Sequence, residues 1–176
     1  MKNIFLVGPM GVGKTTIGKA LARALKLRFL DSDHEIERRA GADIAWIFDV
    51  EGEAGFRERE TQVLDDLTAL PGVLISTGGG AVLRDVNRQM LKERGTVIFL
   101  DTSIDLQLKR TASDKKRPLL QTGDRETTLR NMKQQRQPLY LDVADVHFFV
   151  GEGGSRKLVN ALVEHLREAG FVPEEK

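Results

Sequence analysis

The chain has 176 residues, 40% hydrophobic and 30% charged, a length and balance suited to one globular domain with a real core. Its formal net charge of +1 sets up no global field for nucleic acid or an acidic membrane, so any anion site must be local. There is no cysteine, which excludes disulfides, thiolate zinc sites and cysteine nucleophiles, and no apolar run nears the roughly 20 residues that span a bilayer.

The first expected element is a strand over residues 4–7, IFLV. It is not read as a signal peptide, because it breaks into GKTT with no small-residue cleavage site behind it, and a cytoplasmic location is expected. The loop GPMGVGKTT follows at residues 8–16, then a helix with an apolar stripe of Ile17, Leu21, Ala24 and Leu25. Gly8, Gly13, Lys14 and Thr15 fit G-x-x-x-x-G-K-[ST] in its required place between strand and helix. Glycine lets the backbone turn its N–H groups onto phosphate oxygens, and the helix N-terminus adds partial positive charge. Lys14 is placed to reach the outer phosphates and the Thr15 hydroxyl to ligate Mg²⁺. A nucleoside triphosphate is the expected ligand, although a switch, a motor and a kinase would all use such a loop.

A weak strand signal at residues 29–30 leads into Asp31, Ser32 and Asp33. Strand alternation predicts that both carboxylates share one side, at the sheet end where ligands bind. One would help hold a hydrated Mg²⁺, and the other would orient or deprotonate an acceptor hydroxyl. The competing role is a helix cap before HEIERRA. Residues 33–60 contain no convincing strand. Asp49 to Gly52 spell D-x-x-G, but the chain has no N-K-x-D and Asp43 is placed as a helix cap, so the match is taken as chance. FRERE at residues 56–60 opens a helix whose stripe is Phe56, Val63, Leu64, Leu67 and Leu70. Arg57 and Glu60 share a face, either as a surface salt bridge or as a carboxylate-binding fork steadied by an acid.

The strand over residues 73–75 ends in Ser76 and TGGG where a motor ATPase would place an acid. Gly78, Gly79 and Gly80 are expected where a ligand approaches the backbone closely. A fourth strand is expected over residues 97–100. Residues 114–125, DKKRPLLQTGDR, form a polar, basic stretch in which Arg117 either closes over the triphosphate or is merely solvated. Small size and a lid-like basic loop fit a kinase for a small molecule. In RQPLY, Pro138 is expected to end a helix, leaving Arg136 to face the helix dipole or to anchor a second carboxylate contact. A fifth strand over 146–150 precedes a helix with the stripe Leu158, Leu162, Val163 and Leu166. His34, His147 and His165 show no metal spacing. The alternation predicts an α/β three-layer sandwich around a five-stranded parallel sheet, a P-loop NTP hydrolase fold with lid and substrate-binding insertions.

The ordered set GPMGVGKTT, DSD, FRERE, TGGG, RPLL and RQPLY resembles the shikimate kinase family, over residues 4 to about 166. The resemblance implies transfer of the γ-phosphoryl of ATP to the 3-hydroxyl of shikimate, within aromatic amino-acid biosynthesis. It implies that Asp33, Arg57, Gly79 with its neighbours Gly78 and Gly80, and Arg136 bind shikimate, the two arginines taking its carboxylate and Asp33 its ring hydroxyls. Gly11, Val12, Gly13, Lys14, Thr15, Thr16 and Arg117 would bind ATP, with Arg110 near adenine. Thr15 would bind one Mg²⁺, and Asp31 would act on it through water; Lys14, Asp33 and Arg117 would carry catalysis. Ser76 stands where some relatives have Asp, and no single residue of 151–157 is singled out for adenine. The implied organisation is a monomer of one kinase domain, 1–176, needing neither nucleic acid nor membrane. Its core would span about 1–32, 61–113 and 125–170, its substrate region about 33–60 and its lid about 114–125. The alternatives are a kinase of another small polyol acid such as gluconate, and an ATP-binding regulatory module without turnover.

Overall fold

The strands β1 (Asn3–Val7), β2 (Arg28–Asp31), β3 (Val73–Ser76), β4 (Gly95–Asp101) and β5 (Val146–Phe149) form one parallel sheet in the order β2-β3-β1-β4-β5. The structure, a computed structural model, describes residues 1–112 and 124–174. The expected lid at 114–125, with Arg117, therefore lies outside the described residues except for Asp124 and Arg125.

Central strands are covered on both faces, which is why β1, β3 and β4 read as unbroken apolar runs. Ile4 and Leu6 face one core with Leu74, Ile98 and Leu100; Phe5 and Val7 face the other with Ile75, Val97 and Phe99. The first core is closed by α1 (Lys14–Ala24) and α7 (Ser155–Glu168). The second is closed by α2 (Ser32–Ala40), α3 (Ile44–Thr68), α4 (Asp85–Arg94) and α6 (Arg125–Val143). The three-layer α/β sandwich is as expected. β2 is an edge strand with an exposed Arg28 and half-buried neighbours, so its apolar signal is short. β5 is the other edge and ends at Phe149, one residue earlier than expected.

Several local expectations are corrected. Ala24 is exposed and Ala22 buried in its place; Leu70 lies beyond α3 and is exposed. Asp43 does cap α3, accepting from the Trp46 N–H, but α3 continues through a break at Gly52, where φ is 73°. FRERE lies in the first turns of the helical segment that follows this break, as expected, while Asp49 to Glu51 end the segment before it and Gly52 sits at the break. Pro138 does not end its helix, since α6 runs on to Val143. Proline removes one hydrogen bond, to the carbonyl of Gln134, an exposed residue that water can reach, while Tyr140 and Val143 stay packed in the core. Arg136 is thus in the body of α6, away from the dipole end. Among the described residues no helix is long and apolar enough to cross a membrane.

Candidate active site

The loop after β1 takes positive φ at Gly8 (146°), Gly11 (78°) and Gly13 (96°), conformations that favour glycine. Gly13 caps α1 without a side-chain bond, which leaves the first-turn N–H groups for an anion. Lys14 is buried, and its Nζ donates to the carbonyls of Gly8 at 2.7 Å and Pro9 at 2.9 Å, holding the ammonium over the loop. The Thr15 hydroxyl donates to Asp31 Oδ2 at 3.0 Å. Asp31 Oδ1 accepts from the His34 N–H at 3.1 Å, so one carboxylate both caps α2 and meets Thr15. Asp33 lies in the first turn of α2, not on β2. A helix cap, rather than strand alternation, brings the two acids to one side.

A cleft of about 270 Å³ gathers Gly11, Gly13, Lys14, Thr15 and Thr16 with Asp31, Asp33, Gly78, Gly79 and Arg110. Ser76 also lines it, so β3 contributes a hydroxyl there and no carboxylate. Among the described residues no group of three His, Cys, Asp or Glu is arranged to hold a metal. A Mg²⁺ arriving with phosphates needs less, a hydroxyl and one or two carboxylates, and the Thr15–Asp31 pair fits that need. A second cleft, also about 270 Å³, adjoins the first through Gly13, Thr16 and Arg110 and is closed by Val150, Gly153, Ser155 and Leu158. Arg110, on α5 (Ile104–Thr111), donates to Val12 O at 2.8 Å and so borders both. The sequence left residues 151–157 without a chosen contact; the glycines of GEGG beside the end of β5 were the available signal. It also missed Gln107, buried on α5, whose amide donates to Met10 O at 2.9 Å.

The acceptor side is more deeply buried than a surface salt bridge. Arg57 donates to Glu60 Oε1 at 2.9 Å and to Glu53 Oε1 at 3.3 Å. Glu60 is 0% exposed, and burial pushes its carboxyl above the usual range, opposed by Arg57 and then Arg136 and Arg84. Arg136 is also buried. The Nε atoms of Arg57 and Arg136 have no partner among the described residues, so each guanidinium keeps an unspent donor in the protein interior.

The triple glycine meets all of these groups. A Cβ on Gly78 would lie 2.6 Å from Asp33 Oδ1 and 3.0 Å from Glu60 Oε2; one on Gly79 would lie 3.4 Å from Arg136 Nη1; one on Gly80 would strike the Arg57 guanidinium. None of the three has positive φ, so at Gly78 and Gly80 close approach and not backbone angle requires glycine, while a Cβ on Gly79 would make ordinary contact. Gly80→Ala is therefore expected to fold, because the obstructing group is the end of a flexible side chain, but with a lowered thermal midpoint, because that guanidinium is the partner of buried Glu60. Displacing that guanidinium should weaken binding of a carboxylate-bearing acceptor by roughly tenfold while leaving nucleotide affinity alone. Paired calorimetric titrations check this, and equal losses for both ligands would contradict it.

The geometry sets a phosphate cradle beside a glycine loop that meets two buried guanidinium groups, Arg57 and Arg136, and the carboxylates of Asp33 and Glu60. A family model described as shikimate kinase matches residues 10–167. The shikimate kinase of Chromohalobacter salexigens is 53% identical over 167 residues, 95% of this chain and 93% of that one. That of Legionella pneumophila (strain Corby) is 52% identical over 166 residues, 94% of this chain and 95% of that one. The solved structure of the Acinetobacter baumannii shikimate kinase in complex with shikimate superposes with a TM-score of 0.94 at 49% identity, covering 96% of this chain and 94% of that one.

Proposed function

The chain belongs to the shikimate kinase family, and from that premise we propose how its own residues carry out the reaction. The activity is transfer of the γ-phosphoryl of ATP to the 3-hydroxyl of shikimate, giving shikimate 3-phosphate and ADP, a step towards chorismate and the aromatic amino acids.

Residues 11–16 hold the phosphates through backbone N–H groups, and Lys14 neutralises the outer ones. Thr15, with Asp31 acting through water, would hold Mg²⁺, which supplies charge neutralisation when bound. Arg110 and the second cleft take the adenine end. Arg57 and Arg136 hold the shikimate carboxylate, and Gly78, Gly79 and Gly80 let the acid lie close to the backbone. Asp33 orients the attacking hydroxyl and takes its proton as the new O–P bond forms and the bond to the ADP oxygen breaks. Arg117 is assigned to the transferring phosphoryl group on the sequence resemblance alone. The same grounds assign residues 33–60 to substrate binding, 114–125 to a lid, and the protein to a cytoplasmic monomer.

The observation that carries this assignment is the meeting of Asp33, Arg57 and Arg136 on one triple-glycine loop beside the phosphate cradle. A coupled assay for ADP with shikimate and gluconate in parallel tests it. Turnover with shikimate only is expected. Turnover with gluconate alone would indicate another polyol acid, and ATP binding with no turnover on either would indicate a regulatory module.

A further inference from the structure

We propose that Gln107 is a positioning residue for the nucleotide, its amide holding the Met10–Gly11 peptide with the Gly11 N–H toward the phosphates. The inference rests on the assignment of residues 11–16 to ATP and deepens it. Each carbonyl from Gly8 to Val12 accepts a hydrogen bond from a side chain. Lys14 donates to those of Gly8 and Pro9, Gln107 to that of Met10 at 2.9 Å, and Arg110 to those of Gly11 at 3.4 Å and Val12 at 2.8 Å. Gln107 and Arg110 both stand on α5, so one helix draws the carbonyls of Met10, Gly11 and Val12 outward. In a trans peptide the carbonyl of one residue and the N–H of the next point in opposite directions. Drawing the Met10 carbonyl onto α5 therefore turns the Gly11 N–H away from that helix, and Gly11 lines the cleft with Gly13, Lys14 and Thr15.

The helix lies directly against the loop. A Cβ on Gly11 would stand 2.9 Å from Thr111 Cγ2 and 3.6 Å from the Gln107 carbonyl oxygen. The Thr111 hydroxyl donates to that carbonyl at 2.7 Å and accepts from Arg125 Nη2 at 2.6 Å, so the start of α6 steadies the end of α5. Gln107 is buried, and its Oε1 has no partner among the described residues. A role in packing alone would be met by methionine, of similar length, without an orphaned acceptor. Reversing the amide would set Oε1 against the Met10 carbonyl, two acceptors face to face. The position thus uses the N–H donor of glutamine, and the peptide it holds belongs to the phosphate loop. A loop fixed in advance orders less when the triphosphate arrives, which is how preorganisation raises affinity.

Gln107→Met and Gln107→Leu each remove the donor and keep the site apolar and filled. A non-hydrolysable ATP analogue, adenosine and shikimate are titrated into the original protein, both variants and Lys14→Ala, with thermal midpoints and steady-state rates measured alongside. The expected result in Gln107→Met is a roughly tenfold loss of affinity for the ATP analogue and a matching rise in the KM for ATP. Affinities for adenosine and shikimate should stay as they were, and the midpoint should stay close to the original, because the orphaned acceptor leaves with the donor. Gln107→Leu should show the same pattern among the ligands. Unchanged affinity for the analogue in both variants, with Lys14→Ala impaired, would overturn the inference and leave the phosphate-loop assignment standing. Equal losses for the analogue and adenosine would place the effect on the adenine side, through Arg110, and overturn it as well. Losses for all three ligands with a lowered midpoint would make Gln107 a structural residue only. If Lys14→Ala binds the analogue normally, the phosphate-loop assignment fails, and this inference fails with it.

Discussion

Asp33→Asn is expected to bind ATP normally and to turn over shikimate about 10²–10⁴ times more slowly, the range for removing a positioned acid–base group. The substitution keeps shape and one hydrogen-bonding oxygen, so the first turn of α2 should survive, with Asp31 still capping it. What it removes is a charge and a place for the hydroxyl proton. In the proposed assignment the nucleotide is held by backbone donors of residues 11–16 and by Lys14, whose ammonium donates to the carbonyls of Gly8 and Pro9. The loss should therefore appear in kcat, with the KM for ATP close to its original value. Single-turnover measurements locate the slow step. Turnover at the original rate would remove Asp33 from both the orienting and the proton-accepting role.

Arg57→Ala is expected to damage binding and stability together, and the stability loss should grow with pH. Losing a charge-assisted fork on the carboxylate, worth about 3 kcal/mol, lowers shikimate affinity about a hundredfold. The same change strands Glu60, which is fully buried and counts Arg57 as the strongest influence opposing its burial. Breaking a buried pair from one side costs about 3–5 kcal/mol. The carboxyl of Glu60 is already raised by burial, and without Arg57 it rises further. A carboxyl raised in the folded state binds more protons folded than unfolded between the two pKa values, so stability falls as pH increases through that interval. The gap in thermal midpoint between Arg57→Ala and the original protein should therefore widen from pH 5 to pH 8. Adding Glu60→Gln should flatten that dependence without restoring shikimate binding. A gap that stays constant across pH would mean that Glu60 is not the stranded charge.

The donor half of the site was legible because its signal is local. Gly8, Gly13, Lys14 and Thr15 are close in the chain, and the turn they need follows from their own chemistry. The sheet was legible at its centre, where burial on both faces writes a continuous apolar run, and faint at β2, where an edge strand is only half covered. The acceptor half was legible mainly through the order of its motifs. Arg57 and Glu60 look like an exposed helix pair in sequence, because periodicity reports a shared face but not that Glu60 ends at 0% exposure. Asp31 and Asp33 converge through a cap that strand alternation does not describe. Pro138 misled because proline is tolerated in a helix wherever the orphaned carbonyl can reach water. The hydrogen bond from Tyr140 to the carbonyl of Gly79 left no trace in the sequence, since the two lie 61 positions apart.

The contact between the triple glycine and its four charged neighbours also limits how this pocket can be redesigned. Any side chain introduced at Gly78, Gly79 or Gly80 enters space next to Asp33, Glu60, Arg136 or Arg57. A mutational library randomised over those positions would return mostly inactive but folded proteins. Enlarging the range of acids the pocket accepts has to begin instead on α2 and α3, where wall residues can change while the loop and its arginines keep their places.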